Sequence, residues 1–165
     1  MLFFVEPHSV SESEPASSVL GRLLAQFHVS ALLGLEYVVE VKIRDNEEVF
    51  KCLLCGTDSD LNSIVRHLLS AGHRLAFLRR HFPVAGRKFS AARVPERGWA
   101  VASYESLDTV AARIEARCGR GEVTAVRGLL GWERDQDTIR RRIEEGHHAR
   151  YSHQHNDIIW AIVNE

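Results

Sequence analysis

The chain has 165 residues, of which 45% are hydrophobic and 26% are charged, and its formal net charge is −1. This composition is typical of a soluble globular protein, and no unbroken apolar run reaches the roughly 20 residues that a membrane span needs. After Met1 the chain has a four-residue apolar run, Leu2–Val5, before its first charge, and the first eight residues contain neither Lys nor Arg, which is not the pattern of a secretory signal. We therefore expect an intracellular protein, nuclear or cytoplasmic, with no membrane partner.

The beginning of the chain is predicted to be a flexible segment followed by a helix. Residues 1–17 become rich in Ser, Glu and Pro toward their end, a composition that does not support a packed core. Ser17 or Ser18 can cap a helix whose apolar residues recur at helical spacing as far as Phe27. This helix is predicted to bury one face.

A β-hairpin is predicted next. Residues 37–43 are rich in β-branched side chains, residues 44–48 are polar and supply a turn, and residues 49–53 resume an extended pattern. The hairpin would deliver Cys52 and Cys55 at its end.

A helix with a break in its middle is predicted to follow the hairpin. Asp60 or Asn62 can cap it, and its apolar pattern is interrupted near Ser70-Ala-Gly72, where Gly72, directly before His73, permits a break in the helix. The pattern then resumes through His81, and Pro83 is expected to end it because proline cannot continue a helix.

The second half of the chain begins with a basic link that contains glycine and proline, residues 84–98, which is either a boundary between units or an ordered arm. Residues 99–104 are predicted to form a short extended piece. A capped helix is then expected to begin at Ser106 or Asp108 and to pass through Cys118.

Two more elements are predicted near the end of the chain. A charged helix is expected to begin at Asp135 or Asp137 and to end at Gly146. Residues 157–163 form an apolar run that is either a buried strand or a packed helix, since periodicity does not separate the two.

A zinc site is the strongest functional feature of the sequence. Two cysteines and two histidines follow the spacing C-x2-C-x11-H-x5-H. A two-residue gap lets both thiolates face one ion from a tight turn, and the histidines lie on and after a helix, so the four side chains can surround Zn²⁺ tetrahedrally. All four positions are then filled by protein groups, so one structural zinc ion is predicted. The ligands are Cys52, Cys55, His67 and His73.

The same residues carry a family resemblance. Phe50-Lys-Cys52-Leu-Leu-Cys55, followed by His67-Leu-Leu-Ser-Ala-Gly-His73-Arg, resembles the U1-type or matrin-type C2H2 zinc finger, whose hallmark is a five-residue gap between the histidines. The resemblance covers about residues 49–82. It implies a ββα zinc fold of the kind found in proteins that bind double-stranded or structured RNA, and sometimes in protein contacts.

Positive charge is concentrated around this motif. Residues 66–97 hold eight Lys and Arg against one acidic residue, whereas residues 1–65 hold four against ten. Such a local field attracts a polyanion, and arginines beside a finger are suited to phosphate contacts, so RNA is the expected partner. The alternative is that these side chains form a solvated face or pair with the acidic N-terminal third, within the chain or across a homodimer. The chain would then be a protein-protein interaction or homodimerisation module in which zinc is purely structural. The predicted nucleic-acid contacts are Arg66, Arg74, Arg79, Arg80, Arg87, Lys88 and Arg93.

A second group of histidines could in principle hold another metal ion, but its spacing has no clear helical or turn logic, and we interpret it as a polar loop. No phosphate-binding loop, nucleophile elbow or paired carboxylates stand out, so neither an enzyme nor a small-molecule substrate is expected. The histidine group consists of His147, His148, His153 and His155, with Cys118 as a further possible ligand.

The predicted fold class is α+β. Residues 18–97 are expected to form a helix and a ββα zinc unit with a basic C-terminal arm. Residues 98–165 are expected either to complete that domain or to form a small separate unit, helical or mixed.

Overall fold

The computed structural model of the chain describes residues 18–91 and 99–151. The predicted flexible segment 1–17 and the apolar run 157–163 lie outside these ranges. The described elements confirm the predicted α+β class. In chain order they are α1 (Val19–Ala25), a 3-10 turn (Leu35–Tyr37), β1 (Val38–Arg44), β2 (Glu47–Cys52), β3 (Thr57–Ser59), α2 (Leu61–Leu69), α3 (Ala71–His81), α4 (Pro83–Ala91), α5 (Trp99–Cys118), β4 (Thr124–Arg127) and α6 (Gly128–Arg150).

The four strands form one sheet in the order β3-β2-β1-β4. β1 pairs with β2 as the predicted antiparallel hairpin, and its other edge pairs in parallel with β4, so that Val41 lies beside Val49 on one side and Val126 on the other. β4 comes from the second half of the chain. The described part of residues 98–165 therefore completes the sheet that the zinc-motif hairpin begins.

The central strand β1 divides the core into two layers because successive side chains of a strand point to opposite faces. Val38 belongs to a cluster with Leu20, Phe50 and Ile64, under α1 and α2. Val39 and Val41 belong to the other cluster, which is built largely from α3, α5 and α6. Both faces of β1 are thus covered.

A buried carboxylate of β1 holds the first helix in place. Glu40 is completely buried and accepts hydrogen bonds from the Ser18 hydroxyl at 2.7 Å and from the backbone N–H groups of Val19 at 3.1 Å and Leu20 at 3.0 Å. Ser18 is the helix cap, as predicted, and its hydroxyl also accepts from the Gly21 N–H at 2.8 Å. A negative charge at a helix N-terminus also interacts favourably with the helix dipole.

Several predictions for the second half of the chain are wrong. Residues 99–104 are not extended but form the first turns of α5. Their alternation of small and large side chains spans only six residues, which is too short to separate a strand from a helix. The charged helix begins at Gly128, before the expected Asp135 or Asp137, and continues past Gly146. The four-residue strand β4 was not predicted.

The basic link after α3 is helical in its first part. α3 ends before Pro83, as predicted, and Pro83 opens α4, where its fixed backbone angle suits a first helical turn. α4 approaches α3 so closely that a Cβ at Gly86 would lie 2.8 Å from the backbone of Arg79. Among the described residues, no helix combines the length and the apolar character that a membrane crossing requires.

We predict that Glu40→Ala destabilises the protein by about 3 kcal/mol, because three donors at the start of α1 lose an acceptor that is completely buried. Urea denaturation followed by circular dichroism measures the change. The control is Glu47→Ala on the exposed end of β2, with an expected effect below about 0.5 kcal/mol. Equal losses in the two variants would contradict the role given to Glu40.

Candidate metal centre

The hairpin places the two cysteines side by side. Cys52 is the last residue of β2, where it is paired with Val38 and buried. The following turn folds back on itself through a hydrogen bond of 2.8 Å from the Gly56 N–H to the Cys52 carbonyl. Gly56 has a φ of 68°, a conformation that glycine adopts without a Cβ penalty. This tight turn carries Cys55 back beside Cys52.

The two histidines lie on separate helices, with the predicted break between them. His67 belongs to α2 and His73 to α3. The break falls at Ser70 and not at Gly72, because Ser70 is extended, with ψ of 148°, while Gly72 is helical. The Ser70 hydroxyl donates to the His67 carbonyl at 2.6 Å and accepts from the His73 N–H at 3.2 Å. One serine therefore ends the first helix and caps the second.

The four predicted ligands come together. Their ligand atoms all lie within 4.8 Å of one another, and this is the one group of its kind in the described part of the chain. The Sγ atoms of Cys52 and Cys55 are 3.7 Å and 3.6 Å from His73 Nδ1. Zinc bonds of about 2.3 Å to sulfur and about 2.0 Å to nitrogen, at tetrahedral angles, would place sulfur and nitrogen about 3.5 Å apart. The arrangement is that of a site for one metal ion.

The surroundings of the histidines fit a metal ion as well. His73 Nε2 lies 2.8 Å from the Leu33 carbonyl oxygen, an acceptor, so Nε2 carries the proton and Nδ1 offers its lone pair to the cysteines. His67 Nε2 is buried and has no hydrogen-bond partner. An unpaired buried nitrogen is costly, and an ion among the four groups would supply its missing partner.

Burial shifts the pKa values of three of the four ligands, Cys55, His67 and His73, toward their uncharged forms. Burial is the main cause that lowers the pKa of His73 to about 4, and burial together with the neighbouring Cys52 raises the pKa of Cys55 to about 12. A metal ion binds thiolates, so its charge must replace the protons of the cysteines. Metal binding at this centre is therefore accompanied by proton release.

The predicted nucleic-acid contacts do not all lie on one surface. Arg66 is exposed on α2, in a groove that it shares with Phe27 of the segment after α1. Arg93 lies outside the described residues. Four basic side chains at the end of α3 and on α4 are exposed, and we call them the α3–α4 basic surface. They are Arg79, Arg80, Arg87 and Lys88.

Arg74 requires a correction, because its guanidinium is used inside the fold. The residue is buried, at 4% exposure. It forms an ion pair with Asp108 on α5 and donates to the Ser30 hydroxyl at 2.7 Å and the Ala31 carbonyl at 3.0 Å. It joins α3 to α5 and to the segment before β1 and is not available to a phosphate.

His147 also requires a correction, since it lies on α6 and not in a polar loop. It packs against a buried network: the Tyr37 hydroxyl lies 2.8 Å from His81 Nε2 and 3.4 Å from His147 Nδ1, and the Tyr151 hydroxyl donates to Glu36 at 2.7 Å. This network attaches the end of α6 to α3 and to the 3-10 turn before β1. The side chains of His148, His153 and His155 lie outside the described part of the structure.

The comparisons with known proteins assign no function. No protein-family model and no solved structure matches the chain. An uncharacterized protein of Drosophila melanogaster (CG7065) is 29% identical over 83 residues, which cover 48% of this chain. The same match covers 6% of the Drosophila protein. Function must therefore be argued from the site itself.

We predict that Cys55→Ser abolishes binding of one zinc equivalent and unfolds the region around the hairpin, because the affinity of such a site depends on all four ligands. Metal content after dialysis and thermal unfolding measure both effects. Cys118→Ser is the matched control and is expected to keep one equivalent. If Cys55→Ser retained a full equivalent of zinc, the metal would have to be bound at a site that does not include Cys55.

We predict that His81 makes the protein sensitive to acid. Burial is the main cause that lowers its pKa from 6.5 to about 3, so the unfolded chain binds a proton below pH 6.5 while the folded protein does not. The contribution of His81 to the free energy of unfolding is fully present above pH 6.5 and is lost as the pH falls from 6.5 toward 3.

The measurement is the free energy of unfolding at pH 7.5 and pH 5.5 with saturating zinc, in the natural protein and in His81→Gln. We expect the natural protein to lose about 1 kcal/mol more than the variant between these values. An identical loss in both proteins would show that His81 does not cause the acid sensitivity.

Proposed function

We propose that this chain is a zinc-dependent nucleic-acid-binding module, not an enzyme, and that its target is structured or double-stranded RNA. The metal would serve the fold alone, because four protein ligands leave no coordination position for water or substrate. The resemblance of residues 49–82 to the U1-type or matrin-type finger favours RNA over DNA.

The observation that carries this proposal is the close packing of α4 on α3. Gly86 lies against the backbone of Arg79, and the Arg79 Nε donates to the Ser90 hydroxyl at 2.9 Å. This contact places the segment of α4 with the exposed Arg87 and Lys88 next to the end of α3 with the exposed Arg79 and Arg80. Positive side chains grouped on one surface attract the phosphates of a nucleic acid.

The zinc centre and part of this basic surface lie on the same helix, α3. His73, one of the four ligands, lies two helical turns before the arginines on the same helix. An ion at the centre would fix the direction of α3 relative to the hairpin, and with it the position of the basic surface. The proposal therefore makes nucleic-acid binding dependent on zinc.

A second candidate function is a protein-interaction module, with RNA playing no part. Two leucines at the start of α6 favour it: Leu129 is 50% exposed and Leu130 is 81% exposed. Neighbouring exposed leucines are typical of a surface that meets another protein or a second copy of the chain.

We predict that Arg79→Glu combined with Arg80→Glu weakens binding to double-stranded RNA by at least about tenfold and reduces the salt dependence of binding by about two phosphate contacts. Fluorescence anisotropy at several salt concentrations measures both quantities. The matched control is Arg113→Glu with Arg134→Glu, which makes the same charge change on exposed positions of α5 and α6. Its expected effect is below about threefold.

Two outcomes would contradict the proposal. Equal losses of RNA affinity in both double variants would mean that binding depends only on the net charge of the protein. An absence of RNA binding at low salt, together with a dimer by light scattering, would favour the protein-interaction module.

A further inference from the structure

A groove runs between α3 and α6 next to the metal centre. Its volume is about 520 Å³, and its apolar floor includes Leu53, Leu54 and Ile143. Leu53 and Leu54 are the two residues between the metal-binding cysteines. The zinc centre would therefore set the shape of one wall of this groove.

The rim of the groove is mainly positive. Arg79 and Arg80 line it from α3, and Arg140 lines it from α6. All three are exposed. Arg140 is not among the predicted nucleic-acid contacts, but the fold places it across the groove from the arginines of α3.

Among the described residues that line the groove, one is acidic, and its carboxylate competes for one of these arginines. Glu144 lies 3.9 Å from Arg80, and the two side chains are 67% and 57% exposed. An ion pair that exposed contributes little to stability, so a stronger anion can displace the carboxylate. Glu144 thus reduces the attraction of the groove for anions without closing it.

We propose that this groove binds an unpaired nucleotide of a structured RNA, with its base on the apolar floor and its flanking phosphates on Arg79, Arg80 and Arg140. The inference rests on the proposed function and adds the mode of binding. An extruded base presents apolar faces next to negative phosphates, which is the combination of surfaces that the groove complements. The position of Arg140 extends the α3–α4 basic surface onto α6.

The test uses two RNA hairpins of equal length, one fully paired and one with a single-nucleotide bulge. Arg140→Glu is expected to weaken binding to the bulged hairpin about tenfold. Arg142→Glu is the matched control, since it makes the same charge change on the same helix but lines a different cavity, with Cys118 and His147. Its expected effect is below about twofold.

A second pair of variants tests the competing carboxylate. Glu144→Lys is expected to raise the affinity for the bulged hairpin by about threefold or more, because it frees Arg80 and adds a cation at the rim. Glu145→Lys makes the same charge change on an adjacent exposed residue that does not line the groove. We expect Glu145→Lys to raise the affinity for the bulged hairpin by less than Glu144→Lys does.

The outcomes separate this inference from the proposed function. Suppose that the Arg79/Arg80 double variant loses RNA binding while Arg140→Glu weakens it no more than Arg142→Glu does. This result would overturn binding in the groove and leave binding at the α3–α4 basic surface intact. Equal affinity of the natural protein for paired and bulged hairpins would overturn the unpaired-nucleotide mode. An absence of binding to either hairpin would overturn both proposals.

Discussion

The imidazole of His73 joins three parts of the chain that are distant in sequence. Its Nε2 pairs with the Leu33 carbonyl before β1, and its Nδ1 faces the two cysteines at the end of the hairpin. The ring belongs to α3, whose far end carries exposed arginines. The hydrogen bond therefore helps to fix the direction of that helix, and an ion held by the four ligands would fix it further. Gly34 makes the arrangement possible, because a Cβ there would lie 3.0 Å from the Phe77 ring and 3.3 Å from the His73 ring.

The strand β1 is the second feature on which the structure depends, because most of the fold is built around it. Its two edges pair with β2 and β4, and its two faces meet separate apolar clusters. Glu40 anchors α1 on one face, while Tyr37, just before the strand, holds the histidines of α3 and α6 on the other. The zinc-type motif is thus part of a larger domain and does not stand as an independent finger. A ligand held between α3 and α6 would be positioned by the same strand.

The local features of this architecture are readable from the sequence, and the long-range ones are not. The hairpin, the Ser18 cap and the four metal ligands follow from short-range spacing, which local geometry enforces. The strand β4 has four residues and owes its conformation to pairing with β1. Arg74 resembles its exposed neighbours in sequence, but its partners Asp108 and Ser30 are supplied by other elements. Arg140 and Arg80 likewise line opposite sides of a groove that only the packing of α6 against α3 creates.

The parallel pairing of Val41 with Val126 has a consequence for how the protein is made. The hairpin and all four metal ligands leave the ribosome before β4 exists, because a chain emerges from its N-terminus. During this interval the nascent chain can already hold an ion, while the outer edge of β1 presents unpaired N–H and C=O groups. Such an open edge is a template for pairing with other chains. We therefore expect the greatest risk of aggregation during synthesis to fall between metal capture and the arrival of β4.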